Sequence, residues 1–458
     1  MDTIIKNGLI VTADGRFEGS IGIVGEEIAG IYAPGEEPEA AEVIDAAGLA
    51  VMPGAIDTHS HHREGSEPGF EYKETIETAT LQCAVGGVTT TVGMPNVNPP
   101  VNSAELLRRQ FAVYEREAYV DYNFNPAGTV LDEMPELATM GIIAFKVFMV
   151  VDSGRPYPHM SGIGVHEHGR LFRIMKECAR LGHPLMVHPH DQSLMTAIEE
   201  EFWARGERDC LAYAKAYAAH DGLLWDSSVA LLLRLAKAAD CHLHILHVQT
   251  EGTVKMIRQA KAEGQKVTCE INPWAIFLGC DWATVERLGS YALSYWVPEK
   301  NLPELWAGLN DGTIDMVATD HAPHTREEKE WGWTDGWKAH TGTQSTQHYL
   351  SLCLTAAHQG KLSLESVVRL CCTEPARVFG IEKKGEIRPG YDADLVLVDL
   401  DREYTIRDED ALTRVGWTPY AGQTVTGVPV RTILRGRTVF AGGKVVGAKG
   451  YGRLARGG

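Results

Sequence analysis

The chain has 458 residues, 44% of them hydrophobic and 23% charged, with a formal net charge of −18. The composition is that of a water-soluble globular protein, and the length exceeds one minimal core at roughly 100–200 residues per domain. The acidic balance argues against a nucleic-acid partner, because phosphate binding needs clustered Lys and Arg, and it is read as solubility. Nine cysteines are scattered without a CxxC pair, the usage expected of reduced, cytoplasmic thiols. Met1-Asp2-Thr3 leads into a short strand-like run rather than a basic, then apolar, leader. No apolar stretch reaches the ~18 residues of a membrane span. The expectation is a cytoplasmic protein with no membrane partner.

In chain order, the first fifty or so residues read as short strands: Ile4-Ile5, Leu9–Val11, Ile21–Val24, Ile28–Ile31 and Val43–Asp45. Gly-punctuated runs of this kind predict a small antiparallel β unit. From about residue 51, short apolar runs alternate with helical patterns. The runs are Val51–Ile56, Thr89–Val92, Ile142–Val151, Leu185–Val187, Leu243–Val248, Lys266–Cys269 and Met316–Thr319. The helices are Ser103–Glu117, Leu171–Leu181, Ser227–Ala239 and Thr253–Ala262. Strand–helix alternation implies a parallel sheet, and without a helix-opening GxGxxG a closed barrel is favoured over an open dinucleotide fold. After about residue 384 short strands return, at Ala393–Val398, Arg431–Arg435 and Lys444–Val446. The expected fold is α/β: a (β/α)8 TIM-like barrel over residues 53–383, with a small β-sandwich satellite domain built from 1–52 plus 384–458. The Gly/Arg-rich tail Gly447–Gly458 is expected to be ordered only by docking. Cys371 and Cys372 are read as core filler.

Chemistry-bearing residues gather at the strand ends. His59-Ser60-His61 follows the run Val51–Ile56, and positions i and i+2 there project to one side, so two imidazoles can share one metal ion. Lys146 stands in a run apolar on both faces, Ile142–Val151. A bare ammonium there costs several kcal/mol, order of magnitude, unless paired. It either snorkels or pairs with a buried carboxylate, or its neutral amine takes up CO2 and bridges two cations as a carbamate. His188 ends another run, with His190 and Asp191 beyond; His247 lies in a further one; Asp320 follows Met316–Thr319, with His321 and His324 after it. A lone histidine of this kind is more often a satisfied core residue. Several His and Asp at the ends of different strands are the pattern of a barrel active site and of a Zn2+-type ligand set.

These residues resemble the amidohydrolase superfamily, in its cyclic-amidohydrolase branch of dihydroorotases, hydantoinases and allantoinases. The likeness runs from Pro53-Gly54-Ala55-Ile56-Asp57-Thr58-His59-Ser60-His61 to Gly390-Tyr391-Asp392-Ala393-Asp394-Leu395. It implies that His59 and His61 ligate the more buried of two divalent metal ions, and His188 and His247 the second. Lys146 would be the carboxylated lysine bridging both, and Asp320 a metal-bound aspartate and catalytic base. Zn2+ is the expected ion, Mn2+ or Co2+ the alternatives, with CO2 supplying the carbamate. The implied reaction is hydrolytic opening of a cyclic amide, Asp320 taking a proton from water and returning one to the departing ring nitrogen. A homodimer or homotetramer is implied as well. The non-enzymatic alternative, a silent dihydropyrimidinase-like assembly protein, is marked by lost ligands, and here all six positions are filled.

The ring is less defined. Arg63 in His59-Ser60-His61-His62-Arg63, Asn96 in Met94-Pro95-Asn96 and His324 match the dihydroorotase residues that hold a substrate carboxylate. Arg63 could instead pair with Glu64 or Glu67. The block Phe70-Glu71-Tyr72-Lys73-Glu74 is also similar to dihydroorotase. Ile271-Asn272-Pro273-Trp274, Trp296-Val297-Pro298-Glu299-Lys300 and Gly342–Gln347 depart from that family. The segment Trp331–Ala339 looks more like some hydantoinases, as a substrate contact or a plain apolar lid. Yet Val151 stands where dihydropyrimidinase-type enzymes carry Tyr. A hydantoinase or allantoinase acting on an uncharged ring, and a cyclic imide or lactone hydrolase, remain alternatives. His190 has no assigned role.

Overall fold

The computed structural model describes residues 1–150, 162–279, 281–292 and 296–457. Val151 lies outside them. The amino-terminal segment forms β1 (Thr3–Val11), β2 (Arg16–Val24), β3 (Glu27–Tyr32), β4 (Glu42–Asp45) and β5 (Ala50–Pro53). Eight strands follow: β6 (Ala55–Ser60), β7 (Val88–Gly93), β8 (Asp121–Phe124), β9 (Phe145–Phe148), β10 (Leu185–His188), β11 (Leu243–Ile245), β12 (Val267–Ile271) and β13 (Met316–Val317). The carboxyl-terminal segment adds β14 (Leu395–Thr405), β15 (Thr424–Leu434), β16 (Arg437–Ala441) and β17 (Lys444–Val445).

The protein is α/β. Strands β6-β7-β8 and β9 to β13 form two parallel sheets, each strand beside its sequence neighbour. Parallel bridges join their ends, Ala127 to Lys146 on one side and Ser60 to His321 on the other. Both chain ends build one nine-stranded sheet in the order β17-β16-β15-β14-β5-β1-β2-β3, with β4 on β1. The apolar run Val51–Ile56 is therefore two strands, not one. Gly54 breaks it, passing so close to β7 that a Cβ there would lie 2.1 Å from Thr89 Oγ1.

Helices cover the parallel strands. In Ala104–Glu117, Ser103 caps the first turn by accepting from Leu106 N, and Leu107, Gln110, Val113 and Tyr114 turn inward at helical spacing. In His168–Leu181 the buried stripe is Leu171, Ile174, Met175 and Cys178, and Gly182 ends the helix in the left-handed conformation. Each such buried aliphatic contributes roughly 1.5–3 kcal/mol. Cys371 and Cys372 are buried in the core. Among the described residues no helix is long and apolar enough to cross a membrane.

A buried ionic cluster ties sheet to sheet. Lys384 Nζ donates to Asp121 Oδ2 (2.7 Å), Asp392 Oδ2 (2.8 Å) and Asp394 Oδ2 (2.6 Å). Arg435 also pairs with Asp121. The tail docks on the same strand: Tyr122 bridges Leu454, and Asn123 Nδ2 donates to Ala455 O at 2.5 Å. These contacts explain why β8 carries no apolar run, since its Asp121 and Asn123 are buried for their polar partners.

Candidate metal centre

The carboxyl ends of the parallel strands converge on one point. His59 sits in β6 and His61 just after it, Lys146 in β9, His188 at the end of β10, His247 past β11, and Asp320 past β13. Asp57 sets the last of these. Its buried carboxylate accepts from Thr319 N (3.0 Å) and Thr319 Oγ1 (2.6 Å), pinning β13 against β6 so that the next residue turns inward. Arg63, His247 and Asp320 all carry positive φ, at 62°, 56° and 45°. Such a conformation costs a non-glycine residue of order 1–3 kcal/mol and clusters at functional sites.

His59 Nε2 lies 3.3 Å and His61 Nε2 3.1 Å from Asp320 Oδ1; His247 Nδ1 is 3.5 Å from Asp320 Oδ2. The ring of His188 is 4.9 Å from that of His247, and the ring of His247 5.0 Å from that of His59. The Nδ1 atoms are committed, in His247 the same atom that approaches Asp320. His59 Nδ1 donates to Glu270 Oε1 at 2.6 Å, and His61 Nδ1 to Asn96 Oδ1 at 2.6 Å. Nδ1 of His247 meets Asn272 Oδ1 at 2.9 Å, and Asn272 in turn donates to Ala318 O.

The consequence is electrostatic. With Nδ1 protonated, the Nε2 atoms of His59 and His61 offer lone pairs, and both face a carboxylate oxygen that also only accepts. His59 Nε2 has no hydrogen-bond partner despite its 3.3 Å approach. Converging acceptors of this kind are satisfied by a cation between them. Burial pushes His61 down to about 3 and His247 to about 4, so both are neutral, the ligand form. Burial disfavours the Asp320 carboxylate, and only protonated imidazoles at His247, His59 and His61 would hold it low; with those imidazoles neutral, that part falls to a cation between the groups. Glu270 is held low by His59 and His244 against burial.

Lys146 is fully enclosed, and its Nζ makes no hydrogen bond among the described residues. The Phe148 ring lies 4.5 Å from Nζ. Among the described residues Lys146 neither snorkels nor forms an ion pair. Burial pushes the amine down to about 7, against the opposing pull of Asp320 and Glu270.

Four clusters of potential ligands occur among the described residues. In the Asp121–Asp392–Asp394 cluster the Lys384 ammonium already supplies the cation. In the His324–Glu328–His340 cluster Lys73 does the same, 2.8 Å from Glu328 Oε1 and 3.1 Å from His324 Nδ1. The other two clusters both contain His59, and among the described residues no Lys ammonium pairs with them.

Arg63 is buried and does not pair with Glu64 or Glu67. Its Nε donates to Pro323 O (3.3 Å) and its Nη2 meets His324 Nε2 at 3.1 Å. Glu64 instead accepts from Ile76 N, and Glu67 pairs with Arg109. Arg63 and His324 thus stand together, while Asn96 stands at His61. Burial and the Arg63 guanidinium push Lys73 down to about 8. Sequence reasoning misses these parts for Glu328, Lys73 and Asp57, although Lys73 lies in the block Phe70–Glu74 and Asp57 in the block Pro53–His61. His190 Nε2 meets Gln192 Oε1 at 3.1 Å. Of the Trp segment, Trp331 and Trp333 are 43% exposed, while Trp337 is buried against Trp203 and Tyr213.

Residues 50–439 match the family model described as the amidohydrolase family. The chain is 33% identical to an L-hydantoinase of Paenarthrobacter aurescens, over 99% of this chain and 97% of that one. It is 32% identical to a dihydroorotase of Methanothermobacter thermautotrophicus, over 90% and 89%. The solved L-hydantoinase (dihydropyrimidinase) of Arthrobacter aurescens superposes with a TM-score of 0.92 at 32% identity, covering 99% of both chains. By these matches over almost its whole length, the chain belongs to the amidohydrolase family.

Proposed function

We propose that the protein is a hydrolase that opens the C–N bond of a cyclic amide at a pair of divalent cations. The observation that carries this reading is the set of neutral imidazoles and a carboxylate that face one another as acceptors, beside a buried amine with no hydrogen-bond partner among the described residues. His59 and His61 would hold the more buried cation and His188 and His247 the second, with Asp320 completing the set. Lys146, as a carbamate formed from its amine and CO2 with loss of a proton, would supply the anion shared by both. An amine pushed down to about 7 keeps the lone pair that addition to CO2 requires. The carbamate anion then has cations to face, where an ammonium has none. Zn2+ fits the His and carboxylate donors, and Mn2+ or Co2+ fit them as well.

When bound, such a pair supplies Lewis-acid polarisation of the ring carbonyl and an acidified water. The chain does the rest. Asp320 takes the proton of the attacking water and returns one to the departing ring nitrogen, which makes an amide nitrogen a viable leaving group. Glu270, Asn96 and Asn272 hold the imidazoles in the tautomers that present a lone pair. Lys73 pairs with Glu328, while the nearby Arg63 guanidinium meets His324 and the Pro323 carbonyl rather than a carboxylate. That surplus of buried positive charge supports a ring bearing a carboxylate, with Arg63, His324 and Asn96 around it. A second reading, an uncharged hydantoin ring, is favoured by the L-hydantoinase relative and by buried Trp274 at 6.5 Å from His247.

We further infer that the eight parallel strands form a (β/α)8 barrel over 53–383, with 1–52 and 384–458 as a β-sandwich satellite domain. The catalytic unit is a homodimer or homotetramer in the cytoplasm. Metal analysis with a substrate panel of dihydroorotate, 5-substituted hydantoins, dihydrouracil, allantoin, imides and lactones tests the proposal. About two ions per chain and chelator-sensitive ring opening are expected. Less than about one ion per chain with no ring opening overturns it.

A further inference from the structure

A line of polar side chains runs from the metal centre through the strands to the opposite end of the parallel sheet. Beyond His59 Nδ1 and Glu270 Oε1 at 2.6 Å, Glu270 Oε2 approaches His244 Nε2 to 3.5 Å, an ion-pair separation rather than a formed hydrogen bond. His244 Nδ1 is 2.9 Å from Thr268 Oγ1, and the same hydroxyl is 2.9 Å from His242 Nε2. His244 and Glu270 are fully buried, whereas Thr268 and His242 reach partial exposure at the amino ends of β11 and β12. None of His242, His244 or Thr268 belongs to the ligand set.

The proton positions along this line follow from the carboxylate outward. A carboxylate accepts only, so both imidazoles that face Glu270 present N–H: Nδ1 of His59 and Nε2 of His244. His244 Nδ1 is then an acceptor and takes the single hydroxyl proton of Thr268. The Thr268 oxygen, having given its proton, accepts from His242 Nε2–H. Every contact then sets one donor toward one acceptor, and with neutral imidazoles reversing any of them sets two acceptors or two donors against each other. The Phe379 ring, 5.0 Å from that of His244, packs the middle of the line.

We infer that His244 and Thr268 are positioning residues that act through Glu270 to fix His59 as the Nε2 lone-pair tautomer. The inference rests on the reading of His59 as a ligand. Without the Thr268 hydroxyl, His244 Nδ1 has no donor, and the imidazole is free to turn its own acceptor nitrogen toward Glu270. The carboxylate then keeps the N–H groups of His59 and Asn272 on Oε1 but loses that of His244 beside Oε2, and with it its fixed aim at His59.

The test compares Thr268→Val, which keeps the shape and removes the hydroxyl, with Thr268→Ser, which keeps the hydroxyl. His244→Phe is the stronger disruption. Zn2+-loaded proteins are mixed with excess chelator and Zn2+ release is followed. The histidine tautomers of the metal-free proteins are read separately by 15N NMR. Loss of such an outer partner weakens metal binding roughly 10–100-fold. Thr268→Val and His244→Phe are expected to release Zn2+ at least about 10-fold faster. Thr268→Ser is expected to match wild type. Metal-free wild type should show His59 as a single Nδ1–H tautomer that becomes mixed in Thr268→Val. Wild-type release rate together with an unchanged His59 tautomer in Thr268→Val overturns the inference. Wild type that takes up no Zn2+ while its His59 tautomer still responds to Thr268→Val overturns the ligand reading instead.

Discussion

Removing Lys146 should stabilise the metal-free protein while abolishing the activity. Burial moves this amine from 10.5 to about 7. Its folded-state pKa is therefore depressed relative to the unfolded chain, and folding must expel or strand a proton at every pH below 10.5. At ~1.4 kcal/mol per tenfold, the cost is nil above pH 10.5, ~2 kcal/mol at pH 9, ~4 near pH 7, and levels off at ~5 below that. Lys146→Met keeps an unbranched side chain of similar length in the same apolar strand and has no proton to lose. Chelator-treated wild type and variant, held under argon to exclude CO2, should differ in denaturant midpoint in favour of the variant. The gap should be widest near pH 6 and close as pH approaches 10. With Zn2+ and bicarbonate restored, wild type should gain stability and the variant should not, because only wild type can form the bridging carbamate. A variant equal to or less stable than metal-free wild type at pH 7, or a gap independent of pH, would refute the argument that this amine is an uncompensated burial relieved only by modification.

Asp320→Asn should cut kcat by roughly 10²–10⁴-fold, the range of general acid–base catalysis, while metal analysis still finds more than one ion per chain. Arg63→Ala should raise KM for a carboxylate-bearing ring by roughly 10–100-fold, the worth of a charged hydrogen bond, with metal content unchanged. Equal wild-type turnover of uncharged rings would defeat that assignment. Lys384→Met should lower stability by about 3–5 kcal/mol, because it leaves Asp121 and Asp394 buried with Arg435 alone. The three carboxylates raise the Lys384 pKa, so its contribution is complete at neutral pH and is lost only as pH rises through the alkaline range. Thermal melts at pH 7 therefore measure it in full.

The candidate ligand residues are legible because metal chemistry uses few residue types and because strand ends show in the hydrophobic pattern. Lys146 was conspicuous as a cation in an apolar run. Strand boundaries were less legible. Val51–Ile56 reads as one strand, yet the Thr89 side chain leaves room for no Cβ at Gly54, and the chain changes sheet there. Strand β8 was invisible because its buried Asp121 and Asn123 answer to Lys384, Arg435 and the tail, all more than 250 residues away in sequence except the turn at Gly141. Glu328 and Asp57 were silent for the same reason, since a carboxylate's role is set by what surrounds it.

By itself the sequence determined the α/β alternation, the His59-Ser60-His61 pair, the lysine out of place at 146, and the order of the remaining His and Asp residues. These are local properties of periodicity and residue type, and they survive without coordinates. Only the tertiary structure decided which atoms face which. It turned Arg63 away from Glu64 and Glu67 toward His324, filled two of the four ligand clusters with lysines, and set His59 and His61 lone pair first against Asp320. Those outcomes depend on contacts between residues far apart in the chain, where the aim of one nitrogen is fixed by a donor on another strand.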